Sequence, residues 1–214
     1  MLDVHAPHSR MEGFKDFLLH LLTITIGLLI ALGLEGCVEW RQHRKEVREA
    51  EDGMRGEISQ NLSTVESLRK QIADQQKTLD TDLQVLAEMR AHPNSTNRQL
   101  SFGFGLEGFN DIAWKTAQST GAMGYMPYQS ARTYSDIYNT QAEVYAAEKE
   151  VVGDVLRAAS FPSTQGNNWR PTAPQIDELT DRIGQLRMRL MLLANLVNSL
   201  DTTYKNFESG EGRG

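Results

Sequence analysis

The chain is poor in the residues that build catalytic centres. It has a single cysteine, Cys37, and all five of its histidines precede residue 93. It has no Gly-rich phosphate loop, no quartet of metal-ligating residues and no nucleophile elbow. We therefore expect no enzyme activity, no cofactor and no metal site. Because Cys37 lies just beyond a long apolar run, the cysteine content does not indicate a redox compartment.

Basic residues are fewer than acidic ones, and proline and aromatic residues are scarce. The 22 Lys and Arg stand against 28 Asp and Glu, which gives a net charge of −6, and the two signs are interspersed. No basic stripe is available for a phosphate backbone, so we expect no nucleic-acid partner. The 6 prolines and 7% aromatic residues favour helices, and we predict an all-α fold.

Apolar residues are concentrated in one uncharged run of 18 residues, from Phe17 to Leu34. As a helix this run would be about 27 Å long, close to the thickness of the hydrocarbon core of a bilayer. Phe14 and Trp40 flank it, as aromatic residues do at water–lipid boundaries. We predict a transmembrane helix over 17–34 after a polar tail over 1–16, with membrane lipid as a partner.

Other interpretations of the run stay open. Leu34-Glu35-Gly36-Cys37 resembles a lipobox, whose cysteine is lipidated after cleavage, although Glu35 departs from that motif. A buried core helix is a further alternative. The side of the membrane is also open. Four basic residues follow the run and two precede it, and this difference favours the cytoplasm for the large domain: Arg41, Arg44, Lys45 and Arg48 against Arg10 and Lys15. By contrast, a short tail before one span is typical of a protein whose large domain is exported.

The sequence after the span predicts a long juxtamembrane helix over 35–92. Its apolar residues recur at steps of three, four or seven between Val47 and Leu86. Gly53 and Gly56 could bend this helix, because glycine costs up to about 1 kcal/mol relative to alanine in a helix. A loop over 93–109 follows, rich in Pro, Asn, Ser and Gly.

The remainder of the bundle, 93–207, is predicted to contain three helices, at about 111–120, 128–159 and 175–207. Asn110 can cap the first helix and Gly121 can end it. Pro127 suits the first turn of the second helix. The Gly-rich tail over 208–214 is predicted to be disordered.

The last helix has the most regular pattern, an unbroken alternation of three- and four-residue steps between apolar residues. Such a pattern is typical of the seam of an antiparallel helical bundle or a coiled coil. Met188, Met191, Leu192 and Leu196 widen the apolar surface, so we expect this helix to contact two neighbours. The bundle seam comprises Ile176, Leu179, Ile183, Leu186, Leu190, Leu193, Val197 and Leu200.

Two segments resemble a bacterial family of single-span membrane proteins of unknown function. The first is the end of the span, Gly27–Glu35, followed by Glu39-Trp40 and a charged helix. The second leads from Ala113-Trp114 to Gly121. The resemblance implies a helical domain anchored in the bacterial inner membrane by a single-pass helix. It implies no assigned activity and no functional residues.

One face of the predicted span carries small and polar residues. His20, Thr23, Gly27, Ala31 and Glu35 share this face by their spacing. Small residues let two helices approach closely, and polar side chains can hydrogen-bond across the contact. We interpret these five residues as a transmembrane packing face for a homo-oligomer or another membrane protein. Alternatively, the small residues have no partner and His20 extends towards the interface.

Two further groups are weaker candidates for a site. Glu35, Glu39 and His43 recur every four residues and could hold a divalent cation if helices pair, but a solvated helix of mixed charge explains them better. The tyrosines Tyr134, Tyr138 and Tyr145 could line a ligand pocket, although such a stripe is typical of a core.

The sequence thus supports two hypotheses. The first is a membrane-anchored helical-bundle protein that acts as an interaction or scaffold module and is oligomeric. The alternative is a membrane-anchored sensory bundle that binds a ligand and signals through a partner.

Overall fold

A computed structural model describes residues 13–93, 99–163 and 169–210. Within these ranges every regular element is helical, which confirms the predicted all-α fold. Most of the polar tail 1–16, part of the loop 93–109 and the end of the tail 208–214 lie outside the described residues. The elements are α1 (Gly13–Ala91), α2 (Ile112–Ser119), a 3₁₀ turn (Ala122–Tyr125), α3 (Tyr128–Ser163) and α4 (Ala173–Ser209).

The chain divides into two compact units, Met1–Arg48 and Glu49–Gly214. The first unit contains the apolar run at the start of α1. The second contains the rest of α1 and every element after it. Gly53 and Gly56 lie inside α1, which is assigned as one helix without interruption at either glycine.

The ends of α1, α3 and α4 differ from the prediction. α1 begins at Gly13, inside the predicted polar tail, and α4 ends at Ser209 rather than Phe207. α3 continues past residue 159 and includes Pro162, which lies in its last turn, where a missing N–H removes only one helical hydrogen bond. α4 begins at Ala173 rather than Gln175. The backbone N–H of Thr172 donates to Gln175 Oε1 at 2.8 Å, and this bond fixes the earlier start.

In the second unit, α4 runs antiparallel to α1. Arg69 Nη2 lies 3.0 Å from Asp201 Oδ2, and Arg187 Nη1 lies 3.1 Å from Asp80 Oδ1. Since later residues of α1 pair with earlier residues of α4, the two helices point in opposite directions.

α3 is also antiparallel to α4, because Arg189 pairs with both Glu150 and Asp154 while Tyr204 bonds to Gln141. The two helices α1 and α3 are therefore parallel to each other. This arrangement refines the predicted antiparallel bundle: each neighbour of α4 is antiparallel to it, and the chain must return along the bundle between α1 and α3.

The crossover segment, residues 99–127, makes this return. Its backbone passes along α1 and α3 and contacts them in reverse order, first at Asp82, then at Glu148 and Asn61, and last at Glu57. Gly121, with φ of 79°, ends α2 in the left-handed conformation, as the sequence predicts. Asn110 does not cap α2; the helix begins after Asp111, which makes no side-chain cap.

The eight seam residues all lie in the core, with exposures of 5% or less. They pack within a three-helix core that also takes Ile58 and Leu68 from α1 and Ile137 and Val144 from α3. α4 contacts both α1 and α3. Met188, Met191 and Leu192 are 60%, 49% and 62% exposed, so these contacts are made by the seam and the ion pairs beside it rather than by these three side chains.

Candidate functional site

The first candidate is the apolar segment, Phe17–Leu34, in the first unit. Each large apolar side chain in this segment is 46–68% exposed, and none of its 18-residue apolar window is buried. The helix is long and apolar enough to cross a membrane, and its position near the N-terminus is also compatible with a signal sequence. If the apolar segment were in water, its large apolar side chains would be exposed to solvent.

The five residues of the transmembrane packing face are all on the exposed surface of α1. Nothing lies within 4 Å of where a Cβ of Gly27 would be, so this glycine leaves open space for another helix. The Thr23 hydroxyl donates to the Leu19 carbonyl of its own helix at 2.8 Å. Thr23 is therefore satisfied without a partner, and His20, Ala31 and Glu35 are presented on the outside.

Beyond the apolar segment, the Glu35, Glu39 and His43 side chains project from one helix. His43 Nδ1 lies 3.4 Å from Glu46 Oε2, a neighbour on the same helix. Within the described ranges, no group of three His, Cys, Asp or Glu is placed to hold a metal ion. The structure thus brings no further ligand to the proposed cation site.

The second unit contains a polar cluster at the junction of α1, α3 and the crossover segment: Glu57, Asn61, Asn110, Tyr138, Gln141 and Tyr204. Glu57, on α1, is only 6% exposed. Its Oε1 accepts a hydrogen bond from the Tyr138 hydroxyl at 2.6 Å, and its Oε2 accepts one from the Ala113 N–H at 2.8 Å. This carboxylate therefore caps the first turn of α2 from another helix, where an anion is favoured.

The other half of the polar cluster holds Asn110. Asn61 Oδ1 accepts from the Asn110 N–H, and the side-chain amides of Asn61 and Gln141 both donate to the Asn110 carbonyl, at 2.8–3.0 Å. The Tyr204 hydroxyl of α4 donates to Gln141 Oε1 at 2.6 Å. α1 and α3 thus bond directly to Asn110 of the crossover segment, and α4 joins the cluster through Gln141.

Burial raises the pKa of the Tyr138 and Tyr204 hydroxyls, and the charge of Glu57 raises both further. Both tyrosines therefore stay protonated as hydrogen-bond donors. No tyrosinate is available as a base, which fits a structural cluster better than a catalytic one.

Two more buried carboxylates hold the crossover segment. Asp82 Oδ1 accepts from the Ser101 N–H at 2.9 Å, and Glu148 Oε1 accepts from the Glu107 N–H at 3.0 Å. The second oxygen of each carboxylate is buried and has no hydrogen-bond partner among the described residues. Burial raises the pKa of Asp82, and burial together with the nearby charge of Glu107 raises the pKa of Glu148 to about 7.

A groove of about 400 Å³ lies beside the polar cluster. Trp114 stacks on Tyr138 with ring centroids 4.9 Å apart, and the two rings form part of its wall together with Tyr145 and Lys115. Tyr134 and Tyr138 belong to the core at 2% and 4% exposure, whereas Tyr145 is 39% exposed. The tyrosine stripe is therefore core at one end and groove wall at the other.

Comparison with protein-family models, curated proteins and solved structures finds no significant match to this chain.

The buried polar residues were missed by sequence reasoning, yet they carry a signal. On α1 the buried positions other than Glu57 and Val85 alternate steps of four and three from Met54 to Met89. Asn61, Gln75 and Asp82 occupy core positions within that series. On α3, Gln141 and Glu148 occupy core positions in the same way. A polar residue at a core position of a regular repeat therefore indicates a buried hydrogen bond.

Proposed function

We propose that the protein is a membrane-anchored helical-bundle interaction or scaffold module, attached by a single-pass helix to the bacterial inner membrane. The observation that carries this proposal is the exposure of the apolar segment, Phe17–Leu34, next to a well-packed bundle. Transfer of its 12 large apolar side chains from water to lipid would contribute a favourable free energy of roughly 10–20 kcal/mol. The resemblance to bacterial single-span proteins supports the same location.

The anchor can be tested by placing lysines in the middle of the apolar segment. We expect the triple variant Ile26→Lys, Leu29→Lys, Ile30→Lys to move from the membrane fraction to the soluble fraction, because each lysine costs about 3 kcal/mol at the centre of a bilayer. The measurement is fractionation of cell lysates without detergent, with immunodetection of the intact chain.

The matched control carries the same three charges on exposed apolar positions of the second unit. Leu156→Lys, Met188→Lys and Leu192→Lys change side chains that are 60–65% exposed, so this variant should stay in the membrane fraction. Wild-type protein in the soluble fraction would refute the anchor.

The interaction role predicts self-association through the transmembrane packing face. We expect Gly27→Leu with Ala31→Leu to convert an oligomer in mild detergent to a monomer, because leucine prevents the close approach of two helices. Light scattering coupled to size exclusion measures the mass.

Thr25→Leu with Gly33→Leu is the control for this variant, since these residues lie on the opposite side of the same helix and should leave the mass unchanged. A monomeric wild type would contradict self-association and would leave another membrane protein as the partner that this proposal requires.

A second candidate function is ligand sensing through a partner. It is favoured by the groove beside Trp114 and Tyr145, whose volume of about 400 Å³ suits a small molecule. A thermal-shift screen of small metabolites distinguishes the two functions. No stabilisation across a broad panel would count against sensing and would not affect the scaffold role.

A further inference from the structure

The helix that follows the apolar segment has two faces of opposite charge. At 100° per residue, Arg41, Arg44, Lys45 and Arg48 fall within a sector of about 100°. Glu35, Glu39 and Glu46 centre about 150° away from them, on the other side of the helix. Residues 35–48 are therefore segregated by charge rather than evenly mixed, and all four basic side chains are exposed.

The three arginines of the basic face differ from the arginines of the bundle in their partners. Arg69, Arg187 and Arg189 each form an ion pair with an aspartate or glutamate. In the described part of the chain, Arg41, Arg44 and Arg48 pair with no carboxylate. On the opposite face, Glu46 instead takes hydrogen bonds from Gln42 and His43.

The contacts that Arg44 and Arg48 do make leave their positive charges available to bind an anion. The Arg44 guanidinium lies over the Trp40 ring, 4.8 Å from its centroid, and Arg48 Nε donates to the Arg44 carbonyl at 3.4 Å. Neither contact neutralises a charge. A stacked guanidinium keeps its outer N–H groups, which match the geometry of a phosphate.

The position of the face relative to the apolar segment selects the partner. Arg41 lies about 10 Å and Arg48 about 21 Å along the helix from Leu34, so the basic face extends outwards from the headgroup level if the segment spans a bilayer. Side chains on a helix lean towards its N-terminus, and here that direction is towards the lipid. Long cationic side chains at this level can therefore reach back to lipid phosphates.

We propose that the basic face formed by Arg41, Arg44, Lys45 and Arg48 binds the headgroups of anionic phospholipids. This proposal rests on the membrane anchoring proposed above and names the lipid class that the anchor selects. Zwitterionic lipids offer the same phosphate without net charge, so the face distinguishes them by electrostatic attraction. Glu35, Glu39 and Glu46 lie on the opposite side of the helix, so a headgroup bound to the basic face is not in contact with these carboxylates.

The test uses the full-length protein in nanodiscs that contain phosphatidylglycerol and phosphatidylcholine in equal amounts. Native mass spectrometry of the released protein counts the two lipids that remain bound. We expect wild-type protein to retain phosphatidylglycerol over phosphatidylcholine by about threefold or more, since each cation near the surface adds to the attraction. Incorporation at about 0.5 M salt should reduce this ratio.

The variant Arg41→Gln, Arg44→Gln, Lys45→Gln, Arg48→Gln should bring the ratio close to one. The control Lys70→Gln, Lys77→Gln, Arg132→Gln, Lys149→Gln removes the same four charges from exposed positions of the second unit and should keep the wild-type ratio. An equal ratio in wild type, or an equal loss in both variants, would overturn the proposal. Failure of the protein to enter nanodiscs at all would instead refute the anchor.

Discussion

Replacing Glu57 by alanine is expected to lower the free energy of unfolding of the second unit by about 2–4 kcal/mol. The carboxylate accepts hydrogen bonds from the Tyr138 hydroxyl and from the Ala113 N–H. Alanine would leave both donors buried without an acceptor, and each such donor costs about 1–3 kcal/mol. Urea denaturation in mild detergent, followed by tryptophan fluorescence, measures the change.

Two variants separate the two bonds of Glu57. Glu57→Gln keeps one acceptor but turns an N–H towards a second donor, so its cost should fall below that of alanine. Tyr138→Phe removes the hydroxyl donor alone and should cost about 1–2 kcal/mol. If Glu57→Ala were no more destabilising than Tyr138→Phe, the bond from Glu57 to α2 would contribute nothing.

The contribution of Glu148 to the free energy of unfolding is expected to fall by about 3 kcal/mol as the pH rises from about 4.5 to about 7. Burial raises the pKa of Glu148 from its usual 4.5 to about 7 in the folded state. Between these values the folded chain keeps a proton that the unfolded chain has lost. Each unit of pH therefore reduces the free energy of unfolding, and the reduction is complete above pH 7.

Glu148→Gln should remove this contribution, because glutamine does not titrate and its Oε1 can still accept from the Glu107 N–H. For each protein we measure the free energy of unfolding at pH 5 and at pH 8 and take the difference between the two values. This difference is then compared between wild type and variant. The control Glu143→Gln changes an exposed glutamate of the same helix and should keep the wild-type dependence. If Glu148→Gln showed the same difference between pH 5 and pH 8 as wild type, Glu148 would not be protonated in the folded state.

The helices of this protein can be predicted because their apolar residues recur at the helical period over long stretches. The seam of α4 was visible in full, since every one of its core positions from Ile176 to Leu200 is apolar. The start of α4 was misplaced by two residues because Thr172 and Gln175 fix it by a local hydrogen bond. Such a bond depends on side-chain geometry rather than on periodicity.

The path of the crossover segment could not be predicted from the sequence. Residues 93–109 have no helical period. Polar side chains on distant helices bond to the backbone of Ser101 and Glu107, in the described part of this segment. Glu148 and Asp82 are two of these side chains. In the sequence alone neither can be distinguished from a solvent-exposed carboxylate, because the backbone N–H group that donates to it lies in a distant segment. The polar cluster was missed for the same reason, because Asn61 and Asn110 are 49 residues apart.

The antiparallel pairing of α1 and α4 brings the entry and exit of the second unit to the same end. Arg55, near the entry, lies over the ring of Phe207, close to the last helical residue, with 5.4 Å to the centroid. A mechanical force applied between Glu49 and Ser209 would therefore separate these two helices from that end, in the unzipping geometry. The seam contacts would bear the load one after another instead of together, so the bundle would yield to tension far more readily than a fold that is loaded in shear.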